Sequence, residues 1–185
     1  MKSRRLAATL AATAVITAAL SPAALAADQV TQTVNAGTRT ASIANLALTA
    51  VGYSHAQQTS TGSMTLTADD SSGTGLGWNV TVQSSGFAYS GANSGTAIPA
   101  ANFALTSAGT PTATAGQAVD SLFGPKVPVV SPAGTLDTAR KVVQANVLYG
   151  QGTYTQALGV SLTIPAQSRA GTYTGTLTTT ATAAP

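Results

Sequence analysis

Cysteine and glutamate are absent from this 185-residue chain, and histidine and tryptophan occur once each. Without cysteine there is no disulfide and no thiolate to act as nucleophile or metal ligand, so the fold must hold by packing and backbone hydrogen bonds. Without glutamate, solvated helices lose the Glu–Lys pairs that support them. No stretch beyond residue 26 keeps a 3.6-residue apolar period either. Catalysis has little to draw on. His55 has no second histidine or acid at a ligating spacing and follows Gly52-Tyr53-Ser54, which makes it a polar loop residue. Asp69-Asp70 with Ser71 and Ser72 offers fewer oxygens than calcium requires and reads, with Gly73, as a turn. No serine sits in the glycine-flanked elbow of hydrolases, and Asp69, Asp120 and Asp137 all fall in turn-like stretches. No catalytic residue, metal ligand or cofactor is assigned.

Charge is also scarce, and part of it lies in a leader. Lys2, Arg4 and Arg5 precede an uncharged, alanine-rich run over residues 6–20. Ser21-Pro22 breaks any helix, and Ala24-Leu25-Ala26 offers the small residues that a signal peptidase accepts. Residues 1–26 therefore read as a cleaved signal peptide with the mature chain starting at Ala27. The run is about 15 residues, short of the roughly 20 that span a bilayer, so no stable membrane anchor is expected after cleavage. The formal charge of +3 belongs to this leader. Beyond it, Arg39, Lys126, Arg140, Lys141 and Arg169 balance Asp28, Asp69, Asp70, Asp120 and Asp137. Five scattered cations make no basic face, which excludes nucleic acid as a partner.

What remains is threonine, alanine, serine and glycine in alternating patterns. Residues 29–34 read as a first strand, and residues 40–51 as a second that Asn45 interrupts. Residues 63–67 form another, with Met64 and Leu66 on one face. The clearest strand covers residues 77–83, where Trp78, Val80 and Val82 alternate with Asn79, Thr81 and Gln83. Residues 102–107 form a further strand through Phe103 and Leu105. A long loop-like region follows over residues 109–138, with four prolines and a short edge strand at 127–130. Residues 140–149 and 153–164 alternate again, with Gly150-Gln151-Gly152 read as a hairpin turn between them, and residues 172–182 make the last strand. Many short strands with glycine and proline turns predict an all-β, two-sheet antiparallel sandwich, Ig-like or Greek-key, as one domain over residues 28–185.

Residues 77–82, Gly-Trp-Asn-Val-Thr-Val, resemble the first signature of the WxL surface domains of Gram-positive bacteria: a tryptophan, any residue, then an aliphatic, here Val80 in place of leucine. Phe87 and the run Ile98-Pro99-Ala100-Ala101-Asn102-Phe103 fit the same pattern. So do Val160-Ser161-Leu162-Thr163-Ile164-Pro165 and residues 170–178, which resemble the family's closing strands. The likeness covers residues 66–185. The family's second Trp-x-Leu would fall at Thr179 and Ala181, and neither the indole nor the leucine is there. The resemblance implies a non-catalytic domain that holds peptidoglycan without a covalent anchor, often beside other surface proteins. A grip built on paired motifs would be weak in this chain.

The candidate binding residues are Trp78, Val80, Phe87 and Tyr89. Trp78 shares a strand face with Val80 and Val82, as a core residue does, yet an indole also stacks on sugar rings. Phe87 and Tyr89 lie two apart, on one face if that stretch is extended. The expected function is a secreted protein at the cell wall or cell surface, binding peptidoglycan or another surface protein. The alternatives are a subunit of an extracellular fibre or matrix, paired through an open edge strand, and, third, a secreted hydrolase. The oligomeric state stays open.

Overall fold

The structure is a computed structural model that describes residues 30–183. The leader assigned to residues 1–26 lies outside the described residues. The chain divides into two units, Met1–Thr33 and Val34–Pro185. Of the first, residues 30–33 are exposed and form no strand. The first strand expected at 29–34 is therefore absent over its described part: Val30 is 99% and Val34 89% exposed, so alternation alone found no sheet to join.

Among the described residues, eleven strands build the second unit: β1 (Arg39–Ile43), β2 (Gln58–Asp70), β3 (Trp78–Ser84), β4 (Ala88–Ser90), β5 (Phe103–Ala108), β6 (Thr112–Gly116), β7 (Gly134–Thr135), β8 (Arg140–Ala145), β9 (Gly152–Ile164), β10 (Thr172–Thr174) and β11 (Leu177–Ala183). The described helical content is one 3-10 turn at Ala100–Asn102. The larger sheet runs β1-β2-β9-β5-β7, with β6 also on β9; the smaller runs β11-β3-β8; β4 and β10 form a separate ribbon. Every pairing between these strands is antiparallel. The sandwich expected from the alternation is what forms.

Its centre is the β2–β9 pair, in register over all thirteen residues of each strand. On β2, Met64, Leu66 and Ala68 point into the core while Thr61, Ser63 and Thr65 face water. On β9, Tyr154, Leu158, Val160 and Leu162 point inward. The smaller sheet answers with Trp78, Val80, Val82, Val142, Val143 and Ala145. Two consecutive inward valines fit because the β3–β8 register shifts between Val80 and Thr81, a local bulge. Gln156 also points inward, where its Nε2 donates to Gly109 O at 2.9 Å and to Val142 O at 3.0 Å. It thereby links β9 of one sheet to β8 of the other.

Several local expectations change. The strand expected at 40–51 stops at Ile43, next to the interrupting Asn45, and residues 44–57 run on without strand pairing. The strand read at 63–67 is the middle of the much longer β2. The proline-rich stretch holds two short strands, β6 and β7, but none at 127–130, where Val129 and Val130 are 94% and 83% exposed. Only Lys126 bridges to Gln144 there, and Pro128 has no N–H to extend the ladder. Gly150-Gln151-Gly152 is no hairpin, because β8 pairs with β3 and β9 with β2; the turn carries the chain from one sheet to the other. The last strand breaks at Gly175-Thr176 into β10 and β11.

Candidate functional site

The sequence-predicted residues separate into two places. Trp78 and Val80 are core residues, 1% and 0% exposed. The indole packs 6.1 Å from the ring of Tyr154, and its Nε1–H donates to Gly150 O at 2.9 Å. Tyr154 in turn donates its hydroxyl to Gln117 O at 2.7 Å. Burial of that phenol, and then the negative charge of Asp70, raise its pKa above the ordinary 10.0.

Phe87 and Tyr89 lie beyond the Ser84 end of β3, away from Trp78. Phe87 bridges to Ile98 and meets Phe103 edge-on at 5.3 Å. Tyr89 pairs in register with Tyr173 across the β4–β10 ribbon, ring centroids 5.3 Å apart. The Tyr89 hydroxyl donates to Ala170 O at 2.9 Å. A Cβ on Gly91, Gly95 or Gly171 would collide with its ring, so these glycines form a cradle that fixes the tyrosine. Tyr89 is thus a support for the ribbon, with its hydroxyl already engaged.

Beside this ribbon lies a groove of about 590 Å³. It exists because β1 ends early. The chain from Leu46 to Ser54 leaves the sheet and runs along one wall, tied back where Ser60 Oγ donates to Thr49 O at 2.9 Å. The backbone N–H of Gln167 donates to Ser54 O at 2.9 Å and closes one end. Arg169 to Gly175 form the facing wall, and Phe87, Leu162 and Ile164 line the apolar interior. A second hollow of about 440 Å³ adjoins it and shares Leu46, Leu48 and Phe87. Tyr53 is 59% exposed on the groove and stands edge-on to His55 at 5.2 Å. Tyr173 is half-buried, with its hydroxyl donating to Arg169 O at 3.0 Å. Arg169 is the one charged residue in the lining, which holds no carboxylate.

Residues 20–185 match the family described as WxL domain, surface cell wall-binding. The chain belongs to the WxL family. No curated protein and no solved structure gives a significant match. The WxL domain is a surface module of the cell wall, and its place is the cell wall or cell surface. No helix among the described residues is long and apolar enough to cross a membrane.

In this WxL domain the two motif positions are neighbours. Antiparallel pairing of β11 with β3 sets Ala181 opposite Val80 and Thr179 opposite Val82. Cross-strand partners point to the same face, so the second motif would continue the apolar layer of the first. In its place Thr179 Oγ1 donates to Ala41 O at 3.4 Å, where β11 of the smaller sheet meets β1 of the larger. Sequence reasoning missed Tyr53, Tyr173 and Arg169 as a set. They lie far apart in sequence, and only the early end of β1 and the β4–β10 ribbon bring them to one groove. Among the described residues no three His, Cys, Asp or Glu side chains gather as a metal site.

Proposed function

We infer that this WxL domain is exported by cleavage of residues 1–26, forms one domain over residues 28–185, and holds peptidoglycan non-covalently in the groove between residues 46–54 and β10. The groove's chemistry carries this reading. Tyr53 and Tyr173 offer ring surfaces on which the C–H face of a sugar stacks, and Phe87 supplies an apolar interior. The backbone of residues 46–52, which belongs to no strand, offers hydrogen-bond partners to an amide-bearing polymer. Arg169 is the lone charge of the lining, and peptidoglycan carries carboxylates on its stem peptides, the complementary sign. In this reading Tyr89 supports the groove from behind, Phe87 touches the polymer, and Trp78 and Val80 belong to the core away from it.

Co-sedimentation with purified peptidoglycan tests it. The parent should pellet with the wall. Tyr53→Ala and Arg169→Ala, both at exposed positions, should each weaken retention several-fold, with melting temperatures within about 2 °C of the parent. Pelleting of both variants at parental levels would remove the groove from wall binding.

A further inference from the structure

The strands β2 and β9 end at the groove with Gln58 and Ile164; their other ends, Asp70 and Gly152, lead to a different surface. Three loops meet there and expose apolar side chains. Leu76 is 54% exposed, Leu122 68%, Phe123 41%, Val147 52% and Leu148 68%. The loops are stitched to one another. Phe123 stacks on Tyr149 with centroids 4.8 Å apart. The N–H of Asn146 donates to Phe123 O at 2.8 Å, and that of Leu148 to Gly75 O at 2.8 Å. From beneath, the Trp78 indole holds Gly150. The cluster is therefore a built surface and not a set of stray side chains.

Leu148 adds a second, independent observation. Its φ is +71°, a left-handed conformation that glycine and asparagine adopt far more readily than a branched apolar residue. Leucine here strains the backbone and, two-thirds exposed, gains little burial within its own chain. The exposed side chain repays little of that strain within the monomer, which points to a contact outside it.

We propose that this end is a self-association surface that docks a second copy of the chain. Charge favours a like partner. Asp120 Oδ1 accepts the N–H groups of Leu122 and Phe123, both at 2.8 Å. Lys126 donates to Leu122 O. Arg39 is paired with Asp70 at 3.1 Å. Two copies would thus meet with no unbalanced charge of one sign, and beyond the leader the whole chain carries five cations and five aspartates. Area sets the strength. The five side chains expose on the order of 500 Å² per copy, about 1,000 Å² for a symmetric pair, the lower limit of a specific interface. An interface this small suits a weak, reversible dimer.

Sedimentation velocity of the exported chain over a concentration series tests this. The parent should pass from monomer to dimer by about 100 µM. The double variant Leu148→Asn with Leu122→Ser should associate at least about tenfold more weakly. Its melting temperature should hold or rise, because asparagine suits the backbone at 148. Peptidoglycan retention, measured separately, should be unchanged at concentrations where both are monomers. A parent that stays monomeric at the highest concentration overturns the proposal, as does association unaffected by the double variant. Monomers that float with phosphatidylglycerol vesicles through the same residues would also overturn it, in favour of a lipid surface.

Discussion

The indole of Trp78 is enclosed by the core and gives its single donor to Gly150 O. Its replacement by alanine should cost about 3–5 kcal/mol in denaturant unfolding, the range for large aromatic deletions. Trp78→Phe should cost less but still loosen the 146–151 loop, read as faster amide exchange there. A second residue-scale test concerns Arg39, which donates to the fully buried carboxylate of Asp70 at 3.1 Å. Arg39→Met should destabilise by about 3–5 kcal/mol, because it leaves that charge buried without its cation. A third concerns pH. The Tyr154 pKa is raised above 10.0 by burial and by Asp70. Below pH 10 the phenol is neutral in both folded and unfolded chains, so the shift has no effect. Above it the unfolded chain ionises first, and stability falls as pH rises towards the folded pKa. Tyr154→Phe should flatten that alkaline decline. Much at this scale was legible: Trp78, Val80 and Val82 announced a core face by strict alternation. Gln156 and Leu148 did not, since a buried glutamine and an exposed left-handed leucine both run against residue type.

At the scale of elements, period two identified β3 and β9 well because one face of each is fully buried. It failed over residues 30–34, the described part of the strand expected at 29–34, which pair with no strand among the described residues. Local turn chemistry suggested a hairpin at Gly150–Gly152, but glycine signals a bend without saying which strands pair. β9 pairs instead with β2, more than 80 residues earlier in the chain. The break at Asn45 was visible in the sequence; that it opens a groove was not, because the opposite wall comes from residues 169–175. The pairing of β11 with β3 sets the second motif's positions beside Val80 and Val82. Thr179→Trp with Ala181→Leu should therefore alter stability more than wall retention. The leucine extends the apolar layer beside Val80, while the indole crowds Ala41 and costs about 1–3 kcal/mol through overpacking. Denaturant unfolding and co-sedimentation on the same samples separate the two effects. A several-fold rise in retention would put the grip on the paired motif.

On the whole-molecule scale the two ends of the sandwich differ in character. One carries the groove, with aromatic rings and a single arginine; the other carries apolar loops whose Asp120 and Lys126 are hydrogen-bonded to loop backbone. A wall polymer at one end leaves the other free for a second copy, so each monomer in a pair could hold its own stretch of wall. The family match sets the domain on the cell wall without saying which residues touch it. The most direct measurement is a residue-by-residue NMR titration of the chain with soluble peptidoglycan fragments, at a concentration where it is monomeric. Amide shifts should concentrate in residues 46–54 and 169–175 and around Phe87, and leave residues 120–126 and 146–150 unmoved. Shifts centred on those apolar loops, or on β3 and β11 without the groove, would contradict the account.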